Sequence, residues 1–140
     1  MEVTKYKNKT IPQLRATAVR HFHTFIRNRD KDEPCISCGS RSTLQAGHFY
    51  SGGNYPPLRF KEDNVHGQCK KCNYFLSGNL TEYEKNLRYK IGDDRLAKLH
   101  FTAERYKVVG FKWDRFYLIE IIEKYKALNK QSPSRVERRP

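Results

Sequence analysis

Two Cys-x-x-Cys pairs constrain this chain more than any other feature of its 140 residues. The pairs are Cys35–Cys38 and Cys69–Cys72, and thirty residues separate them. The lysine-rich segment Met1–Thr10 has no apolar stretch of the kind that a secretory signal carries, so we expect a cytoplasmic protein with reduced thiols. Four thiolates spaced in this way are typical of a tetrahedral zinc site, and most such sites are structural. The sequence therefore predicts one structural Zn²⁺ bound by Cys35, Cys38, Cys69 and Cys72.

The balance of charge points to a polyanionic partner. Lys and Arg number 28 against 15 Asp and Glu, which gives a formal net charge of +13. This excess excludes acidic buffering and cation storage, and it is typical of proteins that bind nucleic acid. No apolar run approaches the roughly 20 residues that cross a bilayer, so we expect no membrane partner. Aromatic residues make up 13% of the chain, which is more than a disordered basic tail would contain.

Helical periodicity appears on both sides of the cysteine region. Thr10 and Pro12 are typical of a helix start, and apolar residues then recur at steps of three and four to about Arg29. After Cys72, a second apolar face begins at Leu80 and ends at Gly92, which predicts a helix with a glycine C-cap. We expect Asp93 and Asp94 to start a third helix, broken at Gly110, and Asp114 to start a fourth that reaches about Leu128.

The middle third is poor in apolar residues and rich in Gly, Pro, Ser and Asn. Thr43–Ala46 and Leu58–Phe60 are its two candidate strands, and a small core of this kind needs a metal to hold it together. We therefore predict an α+β fold in four parts. These are a basic helical arm (1–34), a zinc-bound core (35–79), a helical region (80–129) and a basic disordered tail (130–140).

Three residues whose side chains could take part in catalysis lie in order across the predicted zinc-held hairpin: His48, Asn64 and Asn73. Phosphodiester hydrolysis needs an activated water and a cation near the phosphate. A neutral histidine is a suitable general base near pH 7, and a carboxamide oxygen suits Mg²⁺ or Mn²⁺. On residue type alone, however, His48 can equally be a surface histidine and Asn73 a helix cap.

The order Cys-x-x-Cys, His, Asn, Cys-x-x-Cys-Asn resembles the HNH, or ββα-metal, nuclease superfamily in its His-Asn-Asn variant. Its ending is similar to that of phage resolvases of the endonuclease VII type, and the wider match is closest to the NinG (Rap) family of phage recombination proteins. The resemblance covers roughly residues 10–92. The motifs that carry it are Phe25–Asp30, Cys35–Gly39, Ala46–Phe49, Leu58–Phe60, Asn64–His66 and Cys69–Asn79.

The resemblance implies a zinc-stapled ββα core and a metal-dependent endonuclease that cuts branched DNA, such as Holliday junctions or D-loops, in a phage-infected bacterium. His48 would be the general base, Asn73 the ligand of Mg²⁺ or Mn²⁺, and Asn64 a brace for the strand of His48. Many HNH nucleases carry a second metal ligand directly before the base, where this chain has Gly47. Resolvases cut two strands, so a homodimer is expected.

Several residues have two open interpretations. The candidate dimer face on the last helix, which can equally be intrachain packing, comprises Leu118, Ile121, Ile122 and Tyr125. The candidate nucleic-acid contacts are Arg59, Lys61, His66, Lys70 and Lys71. Tyr50, Tyr55 and Tyr74 can stack on bases or pack locally, and we favour packing for Tyr74. The alternative functions are a non-catalytic zinc-knuckle module that binds DNA or RNA, and a ribosome-associated basic protein.

Overall fold

The computed structural model describes residues 4–131, which form a two-stranded antiparallel sheet between helices. The helices and strands are α1 (Ile11–Arg29), β1 (Leu44–His48), β2 (Val65–Cys69), α2 (Leu80–Val109) and α3 (Arg115–Gln131). Short 3-10 turns occur at Thr4–Tyr6, Pro56–Leu58 and Glu62–Asn64, and a π-helical turn spans Lys71–Phe75. The mixed helix and sheet content confirms the α+β class.

Helix α1 begins where the sequence predicts. The Thr10 hydroxyl accepts a hydrogen bond from the Gln13 backbone amide at 3.2 Å, and the Gln13 side chain accepts one from the Thr10 amide at 2.9 Å. This reciprocal capping box satisfies two amides that the first turn leaves without partners. The apolar face that includes Leu14, Phe22 and Ile26 is buried against α3 and the sheet.

Helix α3 packs its apolar face against α1. This packing distinguishes between the two interpretations of the face, a dimer interface and intrachain core. Leu118, Ile122 and Tyr125 are at most 1% exposed, and the Tyr125 ring meets Phe22 edge-to-face at 4.9 Å. Ile121 is also buried in this cluster. The face is intrachain core, which confirms the packing interpretation over the candidate dimer face.

The sheet differs from the prediction in its second strand. Leu58–Phe60 is not a strand, because Pro56 and Pro57 lack amide protons and bend this segment into a 3-10 turn. Leu58 is instead buried in a core with residues of α2, at 1% exposure. Phe60 is buried in the core that α1 and α3 form, at 4% exposure. The partner of β1 is the later segment Val65–Cys69, in a register that pairs Leu44 with Cys69 and His48 with Val65.

The sheet has a helix on each side. Ala46 and Val65 are buried in the cluster that α1 and α3 form, so the side chains of Leu44, Ala46 and His48 leave the sheet on the α1 side. Gln45 and Gly47 alternate with them and face the other side. There the Tyr83 hydroxyl of α2 donates to the Gly47 carbonyl at 2.7 Å. Residues of β1 therefore reach two separate environments.

Helix α2 is interrupted at Gly92, whose φ of 86° and ψ of 165° lie outside the helical region. The break falls where the sequence predicts a glycine C-cap, and glycine tolerates this conformation because it has no Cβ. Asp114 caps α3, since its carboxylate accepts from the Tyr117 amide at 2.8 Å. Lys130 and Gln131 still belong to α3, and the remainder of the predicted tail lies outside the described residues.

Within residues 4–131, no helix combines the length and the apolar character that crossing a membrane would require.

Candidate functional site

The four cysteine sulfurs come together as the sequence predicts. The Sγ atoms of Cys35, Cys38, Cys69 and Cys72 all lie within 4.8 Å of one another, and those of Cys38 and Cys69 are 3.7 Å apart. A tetrahedral ion with metal–sulfur bonds of about 2.3 Å separates its sulfurs by about 3.8 Å. The cluster therefore has the dimensions of a site that could bind one zinc ion.

Nearby N–H groups point at two of these sulfurs. The Cys72 backbone amide donates to Cys69 Sγ at 3.5 Å, and the Asn79 side chain donates to Cys72 Sγ at 3.4 Å. Hydrogen bonds of this kind orient thiolate ligands and stabilise their charge. The cluster joins the loop after α1 to the end of β2 and to the π-helical turn, so it determines where Asn73 lies.

His48 ends β1 and its ring is partly buried against α1. Its Nε2 lies 3.0 Å from the Arg59 carbonyl oxygen. A carbonyl can only accept, so Nε2 carries the proton and Nδ1 keeps its lone pair. Burial lowers the pKa of His48 below its usual value, and the Arg59 guanidinium lowers it further against the opposing effect of the carbonyl. The imidazole is therefore neutral near pH 7, with Nδ1 able to accept a proton.

Arg59 and His23 both lie near His48, and His23 on α1 is the neighbour that sequence reasoning missed. The two imidazole rings are 5.7 Å apart. Burial, followed by the charges of His48, Arg27 and Arg59, lowers the pKa of His23 to about 4. Burial also lowers the pKa of Arg59, whose Nε is buried without a hydrogen-bond partner among residues 4–131. The one sequence signal was that His23 and Arg27 are four apart on one helix face.

Asn64 is fully buried and closes the loop that follows β1. Its carboxamide oxygen accepts from the Tyr50 amide at 2.9 Å, while its nitrogen donates to the carbonyls of Tyr50 at 2.9 Å and Leu58 at 3.0 Å. These three bonds hold the two ends of the loop together next to His48. The contacts are those of a bracing residue, and Asn64 has no exposed atom to offer a substrate.

Asn73 lies in the π-helical turn and is partly exposed. Its Nδ2 donates to Gln45 Oε1 at 2.8 Å, and Oδ1 has no hydrogen-bond partner within the described part of the chain. Gln45 and His48 leave opposite faces of β1. No hydrogen bond joins His48 to Asn73 within residues 4–131. His48 lines a cavity together with Ser77, Leu80 and Thr81, which follow the turn of Asn73 in the chain.

The side chain of Gln68 occupies the space beside Gly47, at the position where many HNH nucleases carry a metal ligand. A Cβ at Gly47 would lie 2.0 Å from Gln68 Oε1, so the glutamine side chain occupies that space. Gln68 is fully buried, and its Nε2 donates to Ser37 Oγ at 2.8 Å and to the Gly78 carbonyl at 2.5 Å. It thereby joins the first cysteine loop to the turn that carries Asn73. Residue 47 cannot supply a second metal ligand in this packing.

This packing makes a prediction for Gly47→Ala. The new methyl group would force Gln68 out of its buried hydrogen bonds, so we expect the free energy of unfolding to fall by about 1–3 kcal/mol. Urea denaturation followed by circular dichroism measures this loss. Gly53→Ala is the matched control, because a Cβ there would meet nothing within 4 Å. Equal stability of the two variants would contradict the proposed role of Gln68.

The candidate nucleic-acid contacts divide into exposed and buried residues. Lys61, Lys70 and Lys71 are exposed, and Arg59 is partly buried beside His48. His66 is only 2% exposed, and burial lowers its pKa to about 3. Its ring lies beside the Tyr83 hydroxyl, so the prediction that His66 contacts phosphate is wrong in this structure.

The three tyrosines also differ from one another. Tyr50 and Tyr55 are partly buried, with ring centroids 4.7 Å apart, and they pack on the core that α2 forms. Tyr74 is 71% exposed, so the prediction that it packs locally is wrong. Tyr74, Phe75 and Leu76 are all exposed, at and just after the end of the π-helical turn.

Comparisons with known proteins agree on one family. The family model described as "Bacteriophage Lambda NinG protein" matches residues 1–134. Curated relatives named "Protein ninG" from Escherichia phage lambda, Escherichia phage 933W and Salmonella phage P22 are each 41% identical over 92 residues, or 64% of this chain. The match spans 45% to 46% of those relatives, less than half of their length. No solved structure matches the chain.

Proposed function

The chain belongs to the NinG family, and from this premise we propose that it is a metal-dependent DNA endonuclease of the HNH type that acts on branched DNA during phage recombination. The observation that carries the proposal is the state of His48. Its Nε2 proton is held by the Arg59 carbonyl, and its pKa is lowered by burial. A neutral imidazole with a free Nδ1 is what a general base for water requires.

The cysteine cluster is proposed to hold Zn²⁺ as a structural ion. All four ligands are thiolates, so no coordination position remains for water or substrate. Two of the sulfurs accept N–H hydrogen bonds, as metal-bound thiolates commonly do. The ion would join the loop after α1 to the π-helical turn and so keep Asn73 in place.

Mg²⁺ or Mn²⁺ is proposed to bind at Asn73. The donor set fits a largely hydrated ion, because Gln45 holds the Asn73 nitrogen and Oδ1 has no hydrogen-bond partner among residues 4–131. Gln68 prevents residue 47 from adding a ligand, and Mg²⁺ commonly keeps several of its waters. When bound, such an ion neutralises charge on the scissile phosphate and on the leaving oxygen.

The chain's own groups would do the remaining work. His48 Nδ1 would take a proton from the attacking water. The Asn64 hydrogen bonds would fix the loop, so that the Arg59 carbonyl stays in position to hold His48. Arg59 supplies positive charge beside His48, and Arg27 supplies it beside His23, for the phosphate backbone. In this proposal the phosphodiester would have to reach both His48 and Asn73.

A second candidate is a zinc-knuckle module that binds DNA or RNA without cutting it, and it is favoured by the local hydrogen bonds that His48 and Asn73 each make. In that function, His48 serves to close the loop through Arg59, and Asn73 serves to attach the turn to Gln45. The module would keep the cysteine cluster and the net charge of +13.

A cleavage assay separates the two functions. The zinc-loaded protein is incubated with a labelled four-way DNA junction and Mg²⁺, in parallel with His48→Ala. Cleavage that depends on both Mg²⁺ and His48 supports the nuclease. Binding by both proteins without cleavage by either supports the module.

The pH dependence of cleavage follows from the pKa of His48. Only the neutral imidazole can accept a proton, so the rate should rise with pH until the group is deprotonated and then level off. The pKa is lowered from 6.5 by burial, so we expect the half-maximal rate below pH 6.5 and a constant rate between about pH 7 and 8. Single-turnover rates with Mg²⁺ in excess measure this profile. A rate that rises tenfold for each pH unit above 7 would contradict it.

A further inference from the structure

The π-helical turn exposes an unusual run of apolar side chains beside Asn73. Tyr74 is 71% exposed, Phe75 66% and Leu76 46%, and Leu80 at the start of α2 is also 46% exposed. Large apolar groups that are adjacent and uncovered are costly in water and commonly mark a binding surface. We call Tyr74 and Phe75 the aromatic pair.

The backbone holds the aromatic pair in place. The Leu76 amide donates to the Lys71 carbonyl at 2.8 Å, and the Gly78 amide donates to the Cys72 carbonyl at 2.7 Å. Cys72 itself belongs to the cysteine cluster and is fully buried. The two rings pack edge-to-face with centroids 5.0 Å apart. The rings are therefore presented on a rigid turn, which reduces the entropy lost on binding.

The surroundings favour a nucleic acid over an apolar protein partner. Lys70 directly precedes the turn, Lys71 begins it, and both are exposed; residues 64–81 contain no Asp or Glu. Exposed aromatic rings beside lysines are the combination that binds single-stranded or unstacked nucleic acid, since bases stack on the rings and phosphates contact the ammonium groups. The turn also contains Asn73, where the proposed metal would bind.

We infer that the aromatic pair stacks on unpaired or unstacked bases at the branch point of a DNA substrate. This inference rests on the proposed function for the identity of the ligand. It makes Tyr74 and Phe75 the residues through which the protein prefers branched DNA to a continuous duplex. In a continuous duplex the bases already stack on one another, so the rings gain little there. At a branch point the stacking is interrupted, and a ring can take the place of the missing neighbour.

The test measures binding without cleavage. Zinc-loaded wild type and the double variant Tyr74→Ala/Phe75→Ala are titrated, with Ca²⁺ in place of Mg²⁺, against a four-way junction that carries 2-aminopurine at the branch point. A continuous duplex of the same length is the second ligand. We expect the variant to bind the junction roughly 10- to 100-fold more weakly and to lose the change in 2-aminopurine fluorescence, with duplex affinity within about twofold.

The chain offers a matched control in Tyr89→Ala/Phe101→Ala. These residues are of the same two types and are 87% and 66% exposed, but they lie on α2. The control should bind both DNAs as the wild type does. An equal loss in the control, an equal loss of junction and duplex binding, or unchanged junction binding in the Tyr74/Phe75 variant would each overturn the inference.

Two further outcomes keep this inference distinct from the proposed function and from self-association. If the wild type shows the 2-aminopurine signal but never cleaves with Mg²⁺, the nuclease proposal fails and the stacking surface stands. If sedimentation shows that the wild type is a dimer and that the Tyr74/Phe75 variant is a monomer, the pair is a protein interface and the inference is overturned.

Discussion

Replacing Cys72 with serine is expected to abolish zinc binding and the cooperative unfolding of the region between residues 35 and 91. Cys72 is fully buried, and its sulfur accepts a hydrogen bond from Asn79. A structural zinc ion contributes on the order of 10 kcal/mol, which is comparable with the entire net stability of a domain of this size. The loss of one thiolate should therefore leave the π-helical turn and the sheet without a stable position.

Atomic emission for zinc content and thermal denaturation by circular dichroism measure this effect. Ser42→Ala, an exposed substitution near the same loop, is the control and should bind zinc and melt like the wild type. A strong chelator added to the wild type should reproduce the Cys72→Ser result. A metal-free wild type that melts as cooperatively and at the same temperature as the zinc-loaded protein would contradict a structural role for the ion.

Replacing His48 with alanine is expected to lower the rate of junction cleavage by about 10²- to 10⁴-fold, the usual contribution of a general base. Binding should remain within a few-fold of the wild type, since phosphate contacts come from arginine and lysine side chains. His48→Gln is an informative second variant, because its side-chain amide can still donate to the Arg59 carbonyl but cannot act as a base. It should retain the fold and remain inactive.

His21→Ala provides the control for the loss of a histidine. His21 is partly buried on α1 and has no part in the proposed chemistry. Single-turnover cleavage with Mg²⁺, together with a thermal melt for each variant, separates a loss of chemistry from a loss of fold. Full activity in His48→Ala would exclude this residue as the base. Inactivity of the wild type itself would favour the binding module.

Local patterns were sufficient to predict the helices and the members of the cysteine cluster. The Thr10 capping box, the break at Gly92 and the Asp114 cap all depend on residues within one or two turns of one another, so a short stretch of sequence contains the necessary information. The two Cys-x-x-Cys pairs could also be interpreted locally, because the spacing of each pair brings its two thiols together. Four thiols in such pairs have few uses other than metal binding when they are reduced.

Only the tertiary structure decided which segments pack against each face of the helices and strands. The apolar side of α3 is core because it packs on α1, almost a hundred residues earlier in the chain. Gly47 is required because Gln68 fills its side-chain space, and this depends on the register of β1 with β2. Burial of this kind depends on contacts between distant segments, which periodicity along one segment does not record.

The candidate site shows the same division. Residue type and order identified His48, Asn64 and Asn73 as candidates, but their directions depend on the fold. In the fold, His48 lies beside His23, and Asn73 donates a hydrogen bond to Gln45. The sequence alone thus determined which chemical groups this protein has, through residue types at short spacing. The packing of helices on both sides of the sheet decided which of those groups are buried, exposed or adjacent.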